Sequence, residues 1–260
     1  MDLFTAIVAG LMQGIFEWLP ISSQGNIMAF LMSVLSMSPE ESLRIAIILH
    51  TGTLLAAIIY FRKELSQMVS FKTEENKSLT KFFVIATIST AITAIPLYFL
   101  LKFAISEIGV TIPYLLLVIA FLLAITGFLQ LNKKSGEKME LTNKNALLTG
   151  LAQGFSVLPG VSRSGTTTAI MLFRNANPEQ AFRLSFIMSI PAVFLAELGT
   201  GLLEGFYLDS FSLIALIVAF ITGLLTMDIF IKIAKKINFS YFCFGLAIIY
   251  LLIFVSMILF

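Results

Sequence analysis

Arg163 lies in the stretch Gly160-Val161-Ser162-Arg163-Ser164-Gly165-Thr166-Thr167-Thr168, set between apolar runs. An arginine within a membrane-spanning segment costs about 2.5 to 3.5 kcal/mol on insertion scales, so it requires a partner or a ligand. Its planar fork of donors fits phosphate oxygens two at a time, and glycines let backbone N–H groups approach the same anion closely. Ser162, Ser164, Gly165 and Thr167 would extend that donor set. The same residues also suit a polar helix break held by internal hydrogen bonds, and this stretch alone does not separate the two readings.

A second polar stretch lies near the N-terminus. Gln13 and Glu17 are four residues apart, so both project from one helix face towards a turn at Pro20. An ionisable group at membrane depth is a functional candidate by default. Ser22 and Ser23 follow Pro20 where a new helix begins, with Gly25 and Asn26 just after. Hydroxyls and free N–H groups at a helix N-terminus bind anions, although ordinary N-capping uses the same residues. If the two stretches meet, Glu17, Ser22 and Ser23 face Ser162, Arg163, Ser164 and Thr167 in one polar pocket. A Glu17–Arg163 pair that merely neutralises itself is the competing reading. The surplus of hydroxyls favours a phosphoryl group, which needs many donors around its oxygens. His50, in Leu49-His50-Thr51-Gly52-Thr53, reads either as a hydrogen-bonded core residue or as a group at the pocket's edge that positions a serine or a water.

Helices in a bilayer must position these residues. Apolar residues make up 58% of the 260-residue chain and charged residues 12%, against about 25% charged in soluble domains. A net charge of +2 offers no basic surface for nucleic acid, and the single Cys243 excludes an internal disulfide or a cysteine metal site. Met1-Asp2-Leu3-Phe4 lacks the basic start of a cleavable signal, so this segment is expected to remain in the fold. Crossing about 30 Å of hydrocarbon takes roughly 20 apolar residues. Six runs qualify: 43–61, 82–101, 111–131, 179–199, 211–231 and 240–260. Four shorter pieces, Leu3–Leu19, Ile27–Met37, Leu147–Leu158 and Thr166–Phe173, form two pairs, each flanking a Pro/Ser/Gly turn. Each pair is expected to be a re-entrant helix hairpin, because non-helical backbone at membrane depth must be buried or line a wet cavity.

An internal repeat supports this arrangement. Gly10-Leu11-Met12-Gln13-Gly14 recurs as Gly150-Leu151-Ala152-Gln153-Gly154, and the same offset of 140 pairs Ser22 with Ser162 and Gly25 with Gly165. The expected fold is an all-α polytopic membrane protein forming a single domain over 1–260. It would comprise two inverted repeats, about 1–131 and 145–260, each a re-entrant pair followed by three spans. Arg62, Lys63, Lys72, Lys77, Lys81, Lys133, Lys134, Lys138, Lys144, Arg174, Arg183, Lys232, Lys235 and Lys236 fall in loops of one side, and Arg44 and Lys102 on the other. That bias makes the first side cytoplasmic. The segments 71–81 and 132–145 read as solvated connectors.

The stretch from Gln13-Gly14-Ile15-Phe16-Glu17-Trp18-Leu19-Pro20 through Ile21-Ser22-Ser23-Gln24-Gly25-Asn26, with Pro159-Gly160-Val161-Ser162-Arg163-Ser164-Gly165, resembles the undecaprenyl-diphosphate phosphatases of the bacitracin-resistance type. The likeness covers essentially the whole chain. It implies a multi-pass protein of the plasma membrane, often dimeric. Such a protein removes the terminal phosphate of a polyprenyl diphosphate to regenerate the carrier lipid for cell-wall and glycan assembly. The resemblance carries Glu17 to the family's second acidic motif position, Ser22 and Ser23 to its paired serines, and Ser162, Arg163, Ser164 and Thr167 to its phosphate loop. Gln13 replaces the family's usual first glutamate, and Asn26 replaces a histidine. A Mg²⁺ or Ca²⁺ requirement is implied too, with Glu17 as the metal ligand.

Within that reading Arg163 clamps a phosphate, and Gln13, Ser22, Asn26, Ser162, Ser164, Gly165 and Thr167 line the substrate. Glu17 acts as base, metal ligand or both, and His50 positions. Ser23 as covalent nucleophile and a water activated by Glu17 fit the residues equally. A lipid-phosphate flippase of the same architecture is the rival function. Glu40, Glu41, Glu204 and Asp209 read as solvated outer charges, Glu197 as a residue of the outer interface, and Trp18 as an anchor or pocket wall. Asp228, near the cytoplasmic end of its span, is left without a role.

Overall fold

The computed structural model describes residues 2–70, 73–131, 136–205 and 209–259. Lys72, Lys133 and Lys134 lie outside the described residues, as does the side chain of Glu204. The described residues form α-helices and one short 3-10 turn. Six helices are long and apolar enough to cross a membrane: α3 (Pro39–Tyr60), α5 (Glu74–Ser106), α6 (Ile112–Leu131), α9 (Pro178–Glu204), α10 (Ser210–Lys236) and α11 (Ser240–Leu259). Besides the nine-residue α4 (Arg62–Ser70), four are shorter: α1 (Leu3–Phe16), α2 (Ser23–Leu35), α7 (Asn143–Gly154) and α8 (Arg163–Phe173). At 1.5 Å per residue none of the four spans a hydrocarbon core.

One expected connector is a helical hairpin. Arg62–Ser70 forms α4, and α5 starts at Glu74 rather than after 81. Thr73 caps it by accepting from Asn76 N, while Glu74 and Glu75 occupy the first turn, where acidic side chains complement the helix dipole. Thr80 Oγ1 donates to Met68 O and fastens the two helices. Polarity marked this segment as solvated but concealed its helical start.

Ion pairs and hydrogen bonds collect the loops at one end of the bundle. Arg183 approaches Glu64 at 3.9 Å, Lys235 approaches Glu179 at 3.8 Å, and Asn177 Nδ2 donates to Glu137 O. This end carries the Lys- and Arg-rich segments. The first turn of α3 and the last turns of α5 and α9 lie at the opposite end.

The short helices are held by close backbone approach. Gly10 and Gly14 of α1 press on α10, where an added Cβ would meet Ala215 O at 2.5 Å and Thr222 Cβ at 2.7 Å. Gly150 and Gly154 of α7 press on α5 in the same way, at 2.2 Å from Ala86 O and 2.6 Å from Thr90 O. Small residues four apart let helices pack backbone to backbone in lipid. The recurring Gly-x-x-x-Gly is therefore a docking device used twice.

Candidate functional site

The turns that end α1 and α7 meet in the interior. Ser22 adopts a left-handed backbone, φ 63°, uncommon for a residue with a Cβ. Its Oγ accepts from Gly25 N at 3.4 Å, capping α2, and from Gly160 N at 3.1 Å. A Cβ on Gly25 would lie 2.6 Å from Gly160 N, so the two turns touch through their backbones. Ser164 Oγ donates to Leu19 O at 3.3 Å, and Gln130 Nε2 reaches from α6 to Pro20 O at 2.8 Å. The first turns of α2 and α8 consequently converge, placing two positive dipole ends at one point.

Glu17 occupies that point. One carboxylate oxygen accepts from Arg163 Nη2 at 2.5 Å. The other accepts from Ser23 Oγ at 2.7 Å and Gln13 Nε2 at 3.0 Å, and His50 Nε2 stands 3.4 Å away. The ring of His50 is fixed through Nδ1, 2.6 Å from Ala46 O. Arg163 is steadied by Ser185 O at 3.3 Å and by the Phe186 ring, whose centroid is 5.5 Å from the guanidinium carbon. Thr167 Oγ1 donates to Arg163 O and contacts Ser185 Oγ, holding the start of α8 against α9.

These charges face a cavity of about 160 Å³ lined by Glu17, Ser22, Ser23, His50, Ser162, Arg163 and Ser164. The Glu17–Arg163 pair is formed, yet it lies at the wall of a hollow rather than sealed in a core. The remaining sequence-predicted residues stand behind that wall. Gln13 bonds Glu17 and Thr53, and Gly165 N caps against Ser162 Oγ. Asn26 is 3% exposed and clamps the turn: its Nδ2 donates to Ile21 O and Ser22 O, and its Oδ1 accepts from Tyr250 Oη of α11. Trp18 is buried, with its indole N–H on Gly223 O. Asp228 is exposed and bonds Tyr60 and Lys232.

Two cavity residues escaped the sequence reading. Glu197 of α9, expected at the interface, lines the cavity. Gln153, the repeat partner of Gln13, lines it too and donates to Thr90 Oγ1 at 3.0 Å. A signal for Glu197 exists in α9: Ser185, Ser189, Val193, Glu197 and Thr200 recur at helical spacing, a polar or small stripe along one face.

The family model for the bacitracin resistance protein BacA matches residues 6–252. A relative from Methanococcoides burtonii, named undecaprenyl-diphosphatase, is 39% identical over 96% of this chain and 97% of its own length. One of the same name from Methanothrix thermoacetophila is 41% identical over 96% of each chain, and one from Haloarcula marismortui 36% over 93% of each. With the match running through both polar turns and every long helix, this chain belongs to the bacitracin resistance protein BacA family.

Proposed function

We propose that the protein is an undecaprenyl-diphosphatase, hydrolysing the lipid diphosphate to lipid monophosphate and phosphate. The carrying observation is the Ser23 hydroxyl on one oxygen of Glu17 with Arg163 on the other, at the wall of a cavity. A flippase needs a binding site but no hydroxyl aimed at a base, and the relatives are named for hydrolysis. The two short-helix pairs are read as re-entrant hairpins within inverted repeats of about 1–131 and 145–260, in a multi-pass protein of the plasma membrane. A homodimer is part of the same reading.

In the proposed reaction the terminal phosphate lies between Ser23 and Arg163. Ser23 Oγ attacks phosphorus as its proton passes to Glu17, the bond to the lipid monophosphate breaks, and Glu17 hands that proton to the leaving oxygen. Water then cleaves the phosphoserine, with Glu17 taking its proton and returning it to Ser23 Oγ, and phosphate is released. Arg163, the hydroxyls of Ser162 and Ser164 and the dipoles of α2 and α8 stabilise charge on the phosphoryl oxygens. Of the two nucleophiles compatible with the sequence, the 2.7 Å contact to Glu17 favours Ser23.

The donor set suits a divalent ion carried in by the diphosphate, since Mg²⁺ commonly takes one or two carboxylates and fills its shell from phosphates and water. Glu17 is the carboxylate beside Ser23 and Arg163, and Gln13 Oε1 is a buried oxygen without a hydrogen-bond partner. These two would hold the ion, which would neutralise phosphate charge. Among the described residues no three His, Cys, Asp or Glu side chains cluster as a metal cage.

Detergent-purified protein should release phosphate from undecaprenyl diphosphate, and folded protein that binds the lipid without releasing phosphate would overturn the proposal. His50→Gln is expected to lower kcat by about 100-fold, the bottom of the range for a positioned acid or base, and to change the shape of the pH–rate profile. Parent rates at every pH would remove His50 from the mechanism.

A further inference from the structure

We infer that Arg44 and Lys102 form a second station for phosphoryl anions, at the outer mouth of the cavity and above the site of hydrolysis. The inference rests on the phosphatase reading and adds a route to it. At the end opposite the basic loops the chain carries Glu40, Glu41, Glu107 and Asp209, so an arriving diphosphate meets carboxylates. The two cations of that end come from different helices, yet they line one shallow depression together with Glu40. Leu43, Ile47 and Tyr98 line both this depression and the cavity, so the two adjoin.

Helix periodicity supplies the walls of the passage. On α5, Thr90, Ala94, Tyr98 and Lys102 are each four residues apart, a single stripe running outwards from the residue that Gln153 bonds. On α3, Glu40, Leu43, Ile47 and His50 share a face with Arg44, and Arg44 lies six residues, about 9 Å, beyond His50. The α5 stripe ends at Lys102, and the α3 stripe runs outwards from His50 to Arg44 and Glu40. That distance puts the station beyond the Arg163 cradle, on the path into and out of it. Arg44 and Lys102 already have contacts within the protein, so an anion exchanges with them rather than filling an idle site. A guanidinium and an ammonium at the rim of a low-dielectric funnel raise the local concentration of anions and speed their capture. The ligand is a phosphoryl anion, either the lipid headgroup on its way in or free phosphate on its way out.

The test uses the full-length protein in detergent with Arg44→Gln, Lys102→Gln and the double variant. Lys81→Gln, an exposed charge at the opposite end, serves as control. The double variant is expected to lose about tenfold in kcat/KM for undecaprenyl diphosphate, more than in kcat, and to show a flatter dependence on ionic strength. Inhibition by added inorganic phosphate should weaken by a similar factor. A fall in kcat/KM alone assigns the station to the arriving headgroup, and weaker inhibition alone assigns it to the released phosphate. Unchanged values for both, or an equal fall in Lys81→Gln, would overturn the inference while leaving hydrolysis intact. If the parent protein releases no phosphate, the hydrolytic reading fails by itself. Titration of inorganic diphosphate then decides the station: about tenfold weaker binding to the double variant upholds it, and equal binding removes it.

Discussion

Arg163→Ala is expected to reduce kcat by about 10³-fold or more while the protein remains folded, as measured by phosphate release from purified enzyme. The magnitude follows from what the guanidinium does. Cationic donors on a transferring phosphoryl group are worth 10³ to 10⁵ in rate, and a low-dielectric site strengthens them. Arg163 is aimed by Ser185 O, by the Phe186 face and by Glu17, so its fork is oriented before substrate arrives. Arg163→Lys should recover little, since an ammonium reproduces neither the planar fork nor the contact with the ring. Loss of binding with unchanged kcat at saturation would instead make Arg163 a docking residue.

Ser23→Ala is the second large effect, with an expected loss of at least about 10³-fold in kcat, and it is best read beside Ser22→Ala. The two hydroxyls are neighbours in sequence but serve different ends. Ser23 Oγ meets Glu17, whereas Ser22 Oγ accepts from Gly25 N and Gly160 N and joins the two turns. Ser22→Ala should therefore lower stability, by about 0.5 to 2 kcal/mol for the lost cap alone. Single-turnover reaction of the parent with radiolabelled diphosphate should leave phosphate on the protein, and Ser23→Ala should abolish that label. A Ser23→Ala enzyme that still turns over near the parent rate would transfer the attack to a water on Glu17.

Long apolar runs announced the six long helices, because hydrocarbon thickness sets their length and admits few charges. The polar turns announced the site, because Glu17 and Arg163 are too costly in a membrane to be incidental. What stayed hidden depended on contacts between distant segments. Asn26 stands where a family motif points to chemistry, yet Tyr250, 224 residues away, draws it into the wall. Glu197 lies near a helix end, where a carboxylate is unremarkable, and only the packing of α9 beside α3 turns it to the cavity. Gln130 fixes Pro20 from α6, a role with no local signature. Period and composition report which face of a helix is polar, and the identity of the facing partner is a property of the assembled bundle.

The separation of Glu17 from Arg163, 146 positions along the chain, also constrains how the protein is made. At about 5 to 20 residues per second, roughly 7 to 30 s of synthesis pass between the appearance of the carboxylate and that of its guanidinium. Throughout that interval the first polar turn holds an acid that is costly to place in a bilayer interior without such a partner. Its final seating is therefore expected to wait until the second polar turn emerges. A chain truncated before residue 163 is therefore expected to be a substrate for quality control rather than a half-enzyme.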